Sequence, residues 1–417
     1  MIRLTYFEIR KNYLRGYVVI ALLVFLLLNI FIIYKNYVSG DSNTLGYNLP
    51  HSAKYEKWWN SYDDMHDKLS GKLTMDKVRF VVDEYNRLIA MVSDRSYSTE
   101  EQEDTYTGYI WGDYVFITKY FYRPMKYIST YESAIKQVIK NAEDNIEFYS
   151  QSGNNFDKTK NQFIKEHYSE RKVSVFYNSK VWDILFKYSF SDLLIILLMF
   201  LGIVPIFVNE KVSKMEPLIL SSRKGRINMS FVKVFSVLLY IVFLVSFFSS
   251  INFLVFKLLY GLSGIEMPIY AIEAFQYTPL NCSVGMFYVL QILLKALGFF
   301  VFGMWICIIS ALFQRVIYPY LISALSMVVG IYASGYVASI ETIKTILALI
   351  SPFTLLSSNR LFNELLAVNI RDIFYLRAHV AIIIQVCIMV FLYFLIYTLI
   401  STKSLGIKKK LFMKVGV

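Results

Sequence analysis

The chain has 417 residues, 56% of them hydrophobic, a formal charge of +12 and only three cysteines. Several apolar runs reach the roughly 20 residues needed to cross a bilayer, which excludes an ordinary water-soluble globule and predicts a mainly α integral membrane protein. The basic excess is no nucleic-acid footprint: residues 35–188 hold 21 Lys/Arg against 22 Asp/Glu, and the remainder 22 against 9, mostly beside the apolar runs, where positive charge reports topology.

Residues 1–16 read as a basic amphipathic helix in the membrane interface, with Ile2, Tyr6, Ile9 and Tyr13 at helical spacing. Residues 17–34 form the first span, apolar apart from Asn29. No small-residue cleavage pattern follows it, so it is expected to remain, with the amino terminus inside. The polar segment 35–188 is then an extracellular domain, mainly helical and large enough for its own core. Thr74 is placed as the cap of a helix carrying Val78, Val81, Val82, Tyr85 and Leu88. Ser129 with Glu132 makes a capping box before Ile135, Val138 and Ile139, and Gly153 ends that helix. A third helix covers 157–170, and Val173, Val175 and Tyr177 alternate as in a short strand. Trp58, Trp59, Trp111 and the 120–122 aromatics suit core packing, with a ligand platform as the alternative. The segment lacks cysteine, which suits a bacterial surface domain without a disulfide framework.

Residues 190–208 return to the cytoplasm as the second span. The polar interruption 209–230 follows, with Lys211, Lys214, Arg223, Lys224 and Arg226 against Glu210 and Glu216. A short basic loop between two spans belongs inside. Its stripe of Val212, Met215, Leu218, Ile219 and Leu220 predicts a short helix across the inner surface that offers side chains to a partner. An ordinary turn anchored on lipid headgroups fits the same spacing. Further spans are expected at 231–259, 286–313, 316–337 and 380–400, six in all. The loop 260–283 carries Glu266 and Glu273 and no Lys or Arg, as an external loop should. Segment 338–379 holds short helices at 342–350 and 361–370 around Pro352, too short to cross and read as external or re-entrant. The tail 401–417 is basic and expected inside.

No GxxxxGK[ST], HExxH or GxSxG pattern occurs, so no catalytic residue, metal or cofactor is expected in this chain. His66 beside Asp63, Asp64 and Asp67 fits a solvated helix face better than a metal cluster. Lys295, with Gln291 one turn before it, is an intramembrane charge and hence a functional candidate. Its alternative is snorkelling, or pairing with Glu266 or Glu273. Asn29, Asn252 and Gln385 join them as a possible polar translocation pathway, or as hydrogen bonds between helices.

The order of parts resembles that of the permease subunits of type-2 ABC exporters, in the large-ectodomain form of Gram-positive bacteria. The local likeness is Phe207-Val208-Asn209-Glu210, then Leu218-Ile219-Leu220-Ser221-Ser222, then Lys224-Gly225-Arg226, with Lys233 entering the next span. The chain departs from the family at Lys214-Met215, near where a glycine is common. The resemblance implies that 209–230 is a coupling helix seated in a separate ABC ATPase subunit, with Glu210, Lys214, Glu216, Arg223, Lys224 and Arg226 as its polar contacts. ATP and Mg would be bound by that partner, and a second permease, identical or homologous, would complete the transporter in the bacterial plasma membrane. The external helices would form the outer gate. Amphipathic peptides such as bacteriocins or antimicrobial peptides are the substrate it suggests; lipid-linked molecules and sodium are alternatives. A mechanotransmitting or sensory protein is the competing class, though such permeases usually have four spans. A secondary transporter would need an inverted repeat, and none is visible.

Overall fold

A computed structural model describes residues 2–39, 56–93, 106–215 and 227–415. Among these residues six helices are long and apolar enough to cross a membrane, the build of a multi-pass membrane protein. Helix α1 (Ile2–Asn12) breaks at Tyr13–Arg15 and turns into α2 (Gly16–Ser39), the first of the six.

The polar domain comprises α3 (Glu56–Leu69), β1 (Gly71–Lys72), α4 (Met75–Ser93), α5 (Ile110–Ile117), α6 (Arg123–Ser152), α7 (Asn155–Tyr168) and β2 (Val175–Phe176). Thr74 does cap α4, its Oγ1 accepting from the Lys77 amide at 3.4 Å, and Gly153, at φ 73°, ends α6. The capping box expected at Ser129 and Glu132 is not one. Both lie inside α6, where the Ser129 hydroxyl donates to the carbonyl of Lys126. The chain is helical from Ile110 onward because a π turn at Thr118–Tyr122 widens the helix just before Pro124, whose ring would otherwise meet the carbonyl one turn back. The strand is shorter than its alternation suggested: two residues, antiparallel to β1, with Gly71 opposite Phe176. Trp58 is core, stacked on Tyr62 at 5.5 Å, whereas Trp111 stays exposed. His66 is half-buried against Tyr62 and Ser70, and no metal-holding group of three His, Cys, Asp or Glu occurs among the described residues.

The rest of the described chain is α8 (Ser179–Lys187), α9 (Phe190–Ile203), α10 (Pro205–Val212), α11 (Ile227–Tyr260), α12 (Val284–Leu312), α13 (Ile317–Ser334), α14 (Thr342–Ile350), α15 (Phe353–Leu356), α16 (Ser358–Phe362), β3 (Ala367–Ile370), β4 (Ile373–Leu376) and α17 (Arg377–Val415). Helices α9 and α12 form the interior, while α2, α13 and most of α17 turn Leu, Ile, Val and Phe outward, a distribution suited to lipid. Two glycines let α12 sit in the middle. A Cβ at Gly298 would meet the Pro352 carbonyl at 2.6 Å, and one at Gly303 the Ile241 side chain at 2.7 Å.

The helix expected at 361–370 is mostly absent. Helix α16 stops at Phe362, and β3 and β4 pair as a hairpin with Ile370 opposite Ile373. Arg371 and Asp372 form its two-residue turn, both left-handed at φ 53° and 61°, the conformation that matches strand twist. Val368, Ile370, Ile373 and Tyr375 favour the pleated form over a helix. Arg377 pins the hairpin by donating to the carbonyls of Val337 (2.5 Å), Ser339 (3.1 Å) and Ala367 (3.3 Å).

The polar domain is bound to the loop between α11 and α12. Tyr127, Tyr131 and Tyr168 donate hydroxyl hydrogen bonds to the carbonyls of Tyr270 (2.7 Å), Gln276 (3.3 Å) and Tyr277 (2.8 Å). Arg171 donates to the Thr278 and Leu280 carbonyls and to the Asn281 side chain. An irregular loop has few internal partners for its carbonyls, and these side chains supply them.

Helices α9 and α10 form one column interrupted at Val204, because Pro205 cannot donate to the preceding turn. Ser310 on α12 closes the gap. Its hydroxyl donates to the Val204 carbonyl (2.6 Å) and accepts from the amides of Phe207 (3.3 Å) and Val208 (3.2 Å). Ser310→Ala strands buried backbone groups, so we expect a stability loss on the order of 1–3 kcal/mol. Thermal unfolding in detergent measures it, and an unchanged melting temperature would show the break to be satisfied without the hydroxyl.

Candidate functional site

Two polar clusters mark the ends of the α9–α10 column. At the polar-domain end, four residues singled out as intramembrane polar groups converge on the α8–α9 junction. Gln291 donates to the Phe186 carbonyl at 3.0 Å, on the last turn of α8. Asn29 donates to Asn252 at 2.7 Å and accepts from the Tyr188 hydroxyl at 2.9 Å, and Asn252 donates to Ser191 at 2.9 Å. The Lys295 ammonium contacts both oxygens of Asp192 at 2.9 Å. Its partner is therefore neither Glu266 nor Glu273, the acids the sequence suggested. Asp192 escaped notice because it follows Ser189 and Ser191 at the very start of an apolar run, where an acid reads as a boundary residue. Gln385 lies apart, donating to the Leu349 (2.9 Å) and Ile350 (3.0 Å) carbonyls at the end of α14. These side chains bond to one another and to helix ends, as hydrogen bonds between helices do, while the buried side-chain oxygen of Gln385 has no hydrogen-bond partner among the described residues.

Beside the Asp192–Lys295 pair opens a cleft of about 720 Å³. Leu193 and Ile196 of α9, Ile331 of α13, and Phe353 and Leu356 of α15 make its apolar walls. Lys187, Asn359, Arg360 and Asn363 add polar groups. An apolar cleft with a few convergent polar groups is the usual form of a small-ligand site.

At the opposite end Glu210 is buried, holding Lys233 at 2.5 Å and Lys11 at 2.6 Å. Lys233 is fully buried, donates also to the Ile206 carbonyl at 3.2 Å, and lies 4.3 Å from the centre of the Phe207 ring. Glu8 approaches Lys11 at 3.9 Å and accepts from Asn12 at 2.9 Å. Tyr13 stacks on Tyr240 at 4.1 Å, over Gly202, where a Cβ would collide with both rings. Together these contacts fasten α1 to α10 and α11. Glu210, expected as a contact to a separate partner, has its carboxylate committed inside the chain, because two lysines from neighbouring helices surround it. Lys214 is exposed and left-handed at φ 55°, just beyond α10. Glu216, Arg223, Lys224 and Arg226 lie outside the described residues. Lys211 wraps the end of α12, donating to the carbonyls of Ser310, Ala311 and Phe313. An apolar groove of about 770 Å³ lies alongside, lined by Leu4, Phe7, Val212 and Met215.

No family model, curated protein or solved structure matches the chain.

Proposed function

We propose that this chain is the membrane-spanning permease subunit of an ATP-driven exporter of amphipathic molecules, worked by a separate ABC ATPase on the α1 side. In this reading the polar domain is extracellular, both termini are cytoplasmic, the membrane is the bacterial plasma membrane, and two permeases make one transporter. The observation that carries it is the ion cluster beside the end of α10, where the basic segment 216–226 follows in sequence. Because Glu210 ties α1, α10 and α11 together, a push on the end of α10 reaches three elements at once. One of them, the α10–α9–α8 column, continues past the amphipathic cleft to the polar domain. The apolar groove beside α1 and α10 gives a docking protein surface to bury.

The test uses basic residues of the segment 216–226 that the resemblance marks as partner contacts. Affinity purification of the native protein in mild detergent should bring down an ATPase. Arg223→Glu with Arg226→Glu should remove it while leaving the melting temperature unchanged. If the intact protein brings down no ATPase, the reading falls.

A further inference from the structure

One wall of the cleft beside the Asp192–Lys295 pair carries two asparagines. Asn359 lies on α16 and Asn363 directly follows that helix, and both line the cleft. The Asn363 amide donates to the Asn359 carbonyl at 3.0 Å, so the two residues stand one helical turn apart on the same side. Both are half-buried, and among the described residues neither side chain makes a hydrogen bond. A sheltered carboxamide has donors and an acceptor to satisfy, and a ligand can take both. The acids of the cleft are engaged already, Asp183 with Lys187 at 2.6 Å and Asp192 with Lys295 at 2.9 Å. What the α16 wall offers, beside Arg360, is therefore a matched pair of neutral donors and acceptors.

Spacing narrows the ligand. Side chains one helical turn apart stand about 5–6 Å from each other at Cβ. Along one edge of an extended peptide the polar groups recur every second residue, about 6.6 Å apart. The two repeats agree within the play of an asparagine side chain, so each carboxamide can meet the N–H and C=O of alternate residues. The same extended chain sends every second side chain to one face, and the cleft supplies apolar walls in Leu193, Ile196, Ile331, Phe353 and Leu356.

A helical ligand fits neither demand. Its N–H and C=O groups are spent on each other. Two turns of helix with side chains also fill on the order of 1,000 Å³, more than the cleft of about 720 Å³ can hold.

We propose that the cleft binds an extended peptide segment with apolar residues at alternate positions, and that Asn359 and Asn363 hold its main chain. That such a peptide is the cargo rests on the transport reading above; that it binds does not.

The test is peptide binding to the purified full-length protein in nanodiscs, corrected against empty nanodiscs. The probe is an end-capped, uncharged hexapeptide of alternating leucine and serine. Methylating its backbone nitrogens should weaken binding about tenfold, since two main-chain hydrogen bonds are lost. Grouping its three leucines together should also weaken binding about tenfold, because one or more can no longer reach the apolar wall. In the variant Asn359→Leu/Asn363→Leu the plain and methylated peptides should bind within about twofold of each other, with the methylated one held as before. The melting temperature should not change, because neither side chain bonds within the described fold. If the double variant does not fold, Asn363→Ala alone should cut the preference for the plain peptide about threefold. Equal binding of the plain and methylated peptides, or a preference that survives the folded variant, overturns main-chain recognition. Equal binding of the alternating and grouped peptides overturns the extended register. Octyl glucoside that binds tighter than the peptide, and loses that hold in the variant, would assign the carboxamides to a sugar head and overturn the peptide. No ATPase enters the assay, so failure here leaves the partner reading standing. Failure to recover an ATPase likewise leaves this binding intact.

Discussion

Lys295→Met is expected to destabilise the protein by about 3–5 kcal/mol, the loss typical when one member of a buried ion pair is removed. Asp192 is buried between α9 and α12, and both of its carboxylate oxygens face the Lys295 ammonium. Without the lysine it must hold an uncompensated charge or take up a proton, and either outcome loosens the α9–α12 contact at the interior of the bundle. The double variant Asp192→Leu/Lys295→Met should recover most of the stability, because an apolar pair of similar volume replaces a buried ion pair at little cost. Thermal unfolding in nanodiscs reads both. Under the transport reading proposed above, an export assay on the double variant then separates two roles for the pair. Retained transport makes it a clamp between helices, whereas a stable but inactive double variant places it in contact with cargo. A single Lys295→Met variant as stable as the native chain would show that the pair is not clamped at all.

Glu210→Ala should cost a similar amount, about 3–5 kcal/mol, through a different geometry. Lys233 is fully buried and, among the described residues, would keep the Ile206 carbonyl and the Phe207 ring as favourable neighbours. Lys11 would lose its 2.6 Å contact, and with it the tie between α1 and α10. Cleavage by trypsin after Arg10 or Lys11 should accelerate along with the fall in melting temperature. Lys11→Ala should be milder, since Glu210 keeps Lys233 and the removed charge is partly exposed. The comparison with Arg223→Glu/Arg226→Glu is the informative one. A cluster that holds the fold lowers stability with no partner present, whereas residues that only touch a partner do not. If Glu210→Ala leaves both melting and cleavage unchanged, the cluster is not what fastens α1.

The spans were legible because a bilayer-length apolar run has one dominant explanation, and the long amphipathic repeat around Val81 and Leu88 read as helix for similar reasons. Individual pairings were not. Lys295 stood out as a charge within an apolar run, but its partner lies 103 residues earlier in sequence, and nothing local to either residue announces the match. Glu210 looked like a surface contact because its neighbours in sequence are basic and polar. Its burial depends on Lys11 and Lys233, brought in from two other helices. Ser129 and Glu132 have the spacing of a cap but sit past the true start of their helix, which a π turn before Pro124 had already carried through. At 361–370 Leu361, Phe362, Leu365 and Leu366 mimic a helical face. The left-handed pair Arg371-Asp372 decides for a hairpin, and neither residue is the glycine or asparagine that usually signals such a turn.

The docking of the polar domain also sets the terms on which it can communicate. Tyr127, Tyr131, Tyr168 and Arg171 hold the 270–281 loop, Trp182 on α8 donates to the Ser263 carbonyl at 2.7 Å, and Phe374 of the hairpin lies 5.5 Å from the Phe163 ring of α7. The domain therefore touches the α11–α12 connection, the hairpin that precedes α17 and, where Lys180 lies over the Tyr120 ring, the head of α8. Linkage between sites is reciprocal in free energy. If events at the Glu210 end shift this domain, whatever the domain binds must alter affinity at the Glu210 end by the same factor. Any molecule that bound the domain would then be an effector of the Glu210 end, whether or not it were ever transported.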